Sequence, residues 1–368
     1  MSKTIVIDAR IRRSSTGRYA DRLVEHLQNI DRENRYIILV QPDDNWHMHN
    51  PNFSTLPCPF AQFSFNPLDQ LRFAWKLYRL RPDLVHFTMT QQPLLYFGHI
   101  VTTTHDLTML RFVRRGTTPA VVYWLKITLY KAMVRWSHRK SQRIVVPTNT
   151  VAQEVTAFQP STRNKLAVTY EATEPPHAVQ AVQPKDVSGR FVMYLGTAFP
   201  HKNLPNLISA FDVLNSQYPD LNLVLVGKKE IHYEELEQQA QAHTSAANII
   251  FTGFVPDNEA KWLYENCTVF MQPSLSEGFG LPALEAMTYG APVVTGNVSC
   301  MPEVCGKAAH YCDPTNPADI AWKVREIIEK PALREQLIAA GYTQIKKYSW
   351  EKMAKQTLAV YNQVLSRR

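Results

Sequence analysis

Residues Pro273–Gly296 read PSLSEGFGLPALEAMTYGAPVVTG, and the run that leads into them is CTVFMQP, Cys267–Pro273. That run is apolar, β-branched and closed by proline, which predicts a buried strand. A turn follows, Ser276-Glu277-Gly278-Phe279-Gly280-Leu281-Pro282, then a helix, ALEAMTYG, ended by Gly290, and then a strand, GAPVVTG. Gly278 and Gly280 let the backbone come close to a ligand, and Pro282 suits a first helical turn. The free N–H groups at such a helix start, with the helix dipole, form an anion site fit for a diphosphate. Glu277 lies in the loop and Glu285 about one turn into the helix, so both can point into one cleft. A carboxylate accepts two hydroxyl protons, as a ribose or hexose diol offers them. Taken alone, a pair of glutamates so placed reads first as a helix cap at Glu277 and a solvated surface residue at Glu285.

The same strand–turn–helix design recurs on both sides of this stretch. TIVID, RYIILV, DLVHF, IVTTT and RIVVP fall in the first half; RFVMYLG, LNLVLVG, NIIFTG, CTVFMQP, GAPVVTG and AAHYC fall in the second. Strands apolar throughout, separated by amphipathic helices, point to parallel sheets covered on both faces. The expectation is an α/β chain of two doubly wound, Rossmann-like domains facing a cleft, with ligands beyond the carboxyl ends of the strands. Glu174–Gly189 has no clear periodicity and is taken as the linker. The domains expected are 1–180, on the acceptor side, 181–345, for the donor, and a helix over 346–368 packing back on the first, with Ser349 as its N-cap. No G-x-x-x-x-G-K-[ST] and no G-x-G-x-x-G follows any strand, which argues against nucleoside triphosphatases and dehydrogenases.

The whole string from Glu277, E-G-F-G-L-P with E-A-M and G-x-P-V-V after it, resembles the Glu-x7-Glu signature of glycosyltransferase family 4. The resemblance implies a retaining GT-B enzyme that binds a nucleotide-sugar mainly through its C-terminal domain. It implies that Glu277 contacts the transferred sugar and Glu285 the ribose hydroxyls, and that the amides of Phe279, Gly280 and Leu281 meet sugar and phosphates. YLGTAFPHKNL, Tyr194–Leu204, is similar to the family segment ending in Lys-Asn, which gives Lys202 the diphosphate. An arginine usual there is replaced by Thr197 or His201, which puts a second phosphate clamp in doubt. TGFVPDNE matches the loop that meets the base, with Phe254 and Val255 lining it. His105, in IVTTTHDL, stands at the family's His-Asp position beside the donor hexose. Gly17, in SSTGRYADRL, stands where a backbone amide approaches the phosphate. VTYEATEPP departs from the family's Asn-Gly-Val, and no residue is carried over from it.

No Asp-x-Asp ends a strand, so the reaction expected needs no metal and no cofactor besides the GDP- or UDP-linked donor. The T-x-x-P-x-K-N form of the lysine loop, Thr197–Asn203, looks like that of surface-polysaccharide mannosyl- and rhamnosyltransferases. It suggests mannose from GDP-mannose, passed to a lipid-linked or cell-surface glycan. A GT-B-shaped epimerase or hydrolase, and a non-catalytic subunit of this fold, are the competing readings.

The charge of +8 is uneven, with 24 Lys and Arg against 13 Asp and Glu up to residue 185 and 16 against 19 beyond it. The first half therefore suits an anionic partner. From Leu107 to Gln153 there is no acid, while Arg111, Arg114, Arg115, Lys126, Lys131, Arg135, Arg139, Lys140 and Arg143 alternate with aromatic residues. A helix of this kind can lie at an anionic membrane surface. No nucleic-acid motif accompanies it. The plain alternative buries Val122, Leu125 and Leu129 in the helix's own domain and leaves the cations solvated. The chain has five cysteines and no C-x-x-C, which suits reduced thiols in a cytoplasmic protein, peripheral on the inner membrane face.

Overall fold

The computed structural model describes residues 2–14, 16–60, 66–113, 118–174 and 178–366. Arg114 and Arg115, and Pro175–His177 of the expected linker, lie outside them. The chain forms two compact units. The first holds Met1–Leu110, Pro119–Glu171 and Ser349–Arg368, and the second holds Arg111–Thr118 and Ala172–Tyr348.

In the first unit, the strands are β1 (Thr4–Asp8), β2 (Arg35–Val40), β3 (Phe53–Pro57), β4 (Leu84–Phe87), β5 (Ile100–Thr103), β6 (Arg143–Val146) and β7 (Leu166–Val168). They pair in parallel in the order β3-β2-β1-β4-β5-β6-β7. The helices are α1 (Gly17–Ile30), α2 (Pro67–Leu80), α3 (Thr108–Arg111), α4 (Ala120–Lys140) and α5 (Asn149–Phe158). Central strands are buried on both faces, with β4 and β5 buried at every position and β1 at all but its first. Phe73, Leu77, Phe87 and Ile100 fill one core beneath α2; Val134, Ile144, Val151 and Val155 fill another beneath α4 and α5.

The second unit has β8 (Arg190–Leu195), β9 (Leu221–Val226), β10 (Ile249–Gly253), β11 (Val269–Gln272), β12 (Val293–Gly296) and β13 (Ala309–Cys312), all parallel, in the order β10-β9-β8-β11-β12-β13. Its helices are α6 (Leu204–Gln217), α7 (Ile231–Ala240), α8 (Asp257–Asn266), α9 (Leu281–Thr288), α10 (Met301–Cys305), α11 (Pro317–Glu329) and α12 (Pro331–Ile345). The core lies between the sheet and helices α6, α7 and α11, with Phe211, Leu214, Tyr233 and Ile320 at its centre.

The chain leaves the first unit at Glu171, earlier than residue 180. Val182 donates its N–H to Asn258 O and Lys261 Nζ to Val179 O, so this stretch is already tied to the second unit. After α12 the chain returns to the first unit as α13 (Trp350–Leu365), capped by Ser349, whose Oγ accepts from Lys352 N. Helix α13 packs on α1 and buries Trp350, Met353 and Tyr361. The five cysteines are free and buried. Among the described residues no helix is long and apolar enough to cross a membrane.

Candidate active site

Each sheet reverses its winding once, beside its first strand: between β8 and β11 in the second unit, and between β1 and β4 in the first. Loops leaving the two strands at such a point diverge and leave room for a ligand. In the second unit those loops carry Lys202, after β8, and Glu277, after β11. Lys202 Nζ donates to both Glu277 carboxylate oxygens, at 2.7 and 2.9 Å. Gln272 Nε2, at the end of β11, donates to Glu277 Oε1 at 2.8 Å. Burial alone would raise the Glu277 carboxyl, but the Lys202 charge and hydrogen bond prevail and hold it below its ordinary value.

The Lys-Asn pair divides two tasks. Asn203 adopts a left-handed backbone, φ 64°, which asparagine tolerates. Its Nδ2 donates to Pro273 O at 3.0 Å and to Pro314 O at 2.5 Å, fastening the lysine loop to the end of β11. Ser299 performs the same service for the other loop: its Oγ accepts from Glu277 N and donates to Glu277 O. Gly280 caps α9 at φ 84°, where a Cβ would stand 2.7 Å from Met301 Sδ. Leu281 opens the helix, and Phe279 packs edge-on against Tyr348. One turn on, Glu285 accepts from the buried Tyr264 hydroxyl at 3.2 Å.

The remaining positions of this unit take different surroundings. His201 is buried with its ring near Phe112 and Phe199, and its carbonyl accepts from Leu275 N. Thr197 accepts the Tyr194 hydroxyl through its carbonyl at 2.8 Å. Phe254 and Val255 part company after Gly253, with Phe254 78% exposed and Val255 buried. Of the two, Phe254 presents most of its side chain to solvent and Val255 packs inward beside it.

In the first unit, His105 follows β5 and Thr88 follows β4. His105 Nδ1 faces Glu171 Oε1 at 3.2 Å, and Nε2 faces the Thr88 carbonyl at 3.0 Å. Both partners are acceptors, so only the doubly protonated ring satisfies both. Burial opposes that charge, but the Glu171 hydrogen bond and charge, then Thr88 and Asp106, outweigh it and raise the His105 pKa. Glu171 lies in the VTYEATEPP segment from which sequence reasoning took nothing; its only signal is a carboxylate placed just after a strand. Gly17 also differs from expectation. Its N–H is engaged within its own loop, by Ser14 O at 3.0 Å and Ser14 Oγ at 3.1 Å. A Cβ there would stand 2.4 Å from Ile11 O, so packing against the loop backbone requires the glycine.

Two family models match the chain, Glycosyltransferase Family 4 over residues 16–175 and Glycosyl transferases group 1 over 178–344. O-antigen chain mannosyltransferase B of Escherichia coli is 28% identical over 317 residues, 82% of this chain and 80% of that protein. Sucrose-phosphate synthase of Thermosynechococcus elongatus superposes with a TM-score of 0.77 at 17% identity, each chain covered in full. HepE of Anabaena, solved with UDP and glucose, gives 0.72 at 17% identity over 98% of this chain and 100% of that one. At such identity the structural likeness establishes the GT-B fold, while the two family matches follow one another along nearly the whole sequence. The chain belongs to the family 4 glycosyltransferases and is a sugar-transferring enzyme.

Proposed function

We propose that the protein is a retaining hexosyltransferase that takes mannose from GDP-mannose and passes it to a hydroxyl of a lipid-linked or cell-surface glycan. The observation that carries the reading is the buried Lys202–Glu277 pair at the point where the second sheet reverses. A fixed cation there meets the diphosphate, and its carboxylate partner meets the hexose hydroxyls. In the reaction the bond from the anomeric carbon to the diphosphate breaks and a bond to the acceptor oxygen forms on the same face. The acceptor proton passes to a diphosphate oxygen. Lys202 and the amides opening α9 stabilise the charge that develops on the leaving group. Glu285 holds the ribose, Phe254 and Val255 flank the base, and His105 contacts the donor hexose. No metal takes part.

The similarity to an O-antigen mannosyltransferase and the T-x-x-P-x-K-N loop support mannose and a surface-glycan acceptor. Calorimetry with GDP, UDP and ADP, followed by product analysis with the matching mannose donor, tests the reading. Tightest binding of GDP and transfer with retained configuration are expected. Release of free mannose or its epimer with no dependence on acceptor would favour the hydrolase or epimerase reading. Failure to bind any of the three would favour a non-catalytic subunit.

A further inference from the structure

The first unit exposes an apolar ridge that its core does not use. On α2, Phe73, Ala74 and Leu77 face inward, while Leu68, Leu71, Trp75 and Tyr78 form a second stripe about half exposed or more. Spacings of three, four and three residues place those four on one side of the helix. The Tyr78 hydroxyl donates to Leu95 O at 3.1 Å and accepts from Phe97 N at 3.0 Å, which joins the stripe to exposed Leu95 and Phe97. Phe97 meets Trp136 of α4 edge-on, and Trp136 Nε1 donates to Leu94 O at 2.9 Å. Along α4 the ridge continues through Leu129, Leu125 and Val122. All three are exposed, Leu125 at 60%, which overturns the reading that buries them in their own domain. From Ala120 to Ala132 only Tyr123 is buried, so these turns of α4 stand largely in solvent.

We infer that this face seats the protein in the headgroup layer of an anionic bilayer, with the α2 stripe inserted among the acyl chains. A contiguous apolar patch on a soluble face marks an interaction site. Its chemistry selects the occupant. Tryptophan and tyrosine prefer the membrane interface. Exposed Arg72 and Arg79 flank the stripe on α2, with Arg79 over the Trp75 ring, and exposed Lys126, Lys131 and Arg139 flank it on α4. α4 has no acid and α2 only Asp69. A second copy docked on the same face would set these cations against one another across a two-fold axis, an arrangement that like charge opposes. Anionic headgroups match the cations and acyl chains match the stripe. The inference rests on the first unit's surface and does not depend on the donor or acceptor proposed above.

The full-length protein, mixed with phosphatidylcholine vesicles with and without phosphatidylglycerol, should sediment with the anionic set. Added salt should release it in part, because screening weakens the cations and leaves the apolar insertion. L71Q/W75Q should weaken partition by about a hundredfold, about tenfold for each large apolar side chain withdrawn from the acyl layer. K126Q/K131Q/R139Q, which leaves Arg72 and Arg79 in place, should weaken binding to the anionic vesicles and narrow the difference between the two vesicle types; an unchanged difference overturns the inference. Both variants should keep the thermal melt and nucleotide binding of the parent. Failure of the parent to sediment, or of L71Q/W75Q to weaken it, overturns the inference. So does a parent dimer in velocity sedimentation that L71Q/W75Q converts to monomer, since that would show a second copy on the face.

Discussion

Lys202 Nζ lies within 3 Å of both carboxylate oxygens of Glu277, joining the loop after β8 to the turn after β11. The two side chains are only 15% and 9% exposed, so neither charge can turn to water if its partner is removed.

Lys202→Met should therefore weaken diphosphate binding and also cost about 3 kcal/mol of stability, the usual penalty for orphaning one member of a buried pair. Adding Glu277→Gln should return most of the stability and none of the activity. Thermal melts and calorimetry with the nucleoside diphosphate measure the two effects. Unchanged diphosphate binding in Lys202→Met would remove the lysine from the donor site.

Glu277→Gln alone should lower kcat by about a hundredfold or more, the typical cost of losing one strong transition-state contact. It should also change the response to acid. The Glu277 carboxyl is held below its ordinary 4.5, so its stabilisation is present above that value and is lost as pH falls through the lowered one. The parent should lose stability below about pH 4.5 more steeply than the variant, in melts across that range.

Glu171→Gln tests the state of His105. The parent His105 pKa is raised above 6.5, so the charged ring stabilises the fold fully below that value and ceases to do so as pH rises through the raised one. Removing the carboxylate leaves burial dominant and should move the titration of His105 to lower pH. The basic limb of kcat/KM should move the same way, with little change in nucleotide affinity. Glu171→Asp should recover part of the shift. An unmoved limb would reduce Glu171 to packing.

Gly17→Ala should destabilise the first unit by about 2 kcal/mol, within the range for overpacking a close contact, because its Cβ would meet backbone at Ile11 and Arg12 rather than a yielding side chain. A melt unchanged from the parent would mean that the loop from Ala9 to Ser14 can move aside.

The eleven runs that sequence reasoning took as strands are all strands, because a strand covered by helices on both faces reads as a near-continuous apolar run. The two that escaped, β3 and β7, are the two edges of the first sheet. FSTLP carries two hydroxyl residues and is partly exposed, and LAV is only three residues long and half-covered, so neither makes such a run. Lys202 and Glu277 were legible as motif members, but their pairing was not, since it depends on which strands neighbour which. Nothing at Ser299 or Gln272 marked them: Ser299 meets Glu277 from 22 residues on, and Gln272, at the strand end, reads only as a polar residue closing an apolar run. Glu171 was passed over because its segment lacks the usual residues. In α4 the mixture of cations and apolar residues was plain, yet which side each would face depended on how little of the helix the sheet covers.

The return of the chain to the first unit has a consequence for how the protein is made. Fully buried His86, on β4, hydrogen-bonds the Tyr361 hydroxyl through Nδ1 at 2.5 Å and Thr103 Oγ1 through Nε2 at 2.8 Å. Tyr361 lies on α13, which the ribosome synthesises only after the entire second unit. The half that emerges first must therefore wait for the helix that covers α1, while the second unit has its whole core within one continuous stretch of chain. A nascent chain released short of residue 350 would lack both the helix that covers α1 and the hydroxyl that meets His86, and its first unit would stay incomplete.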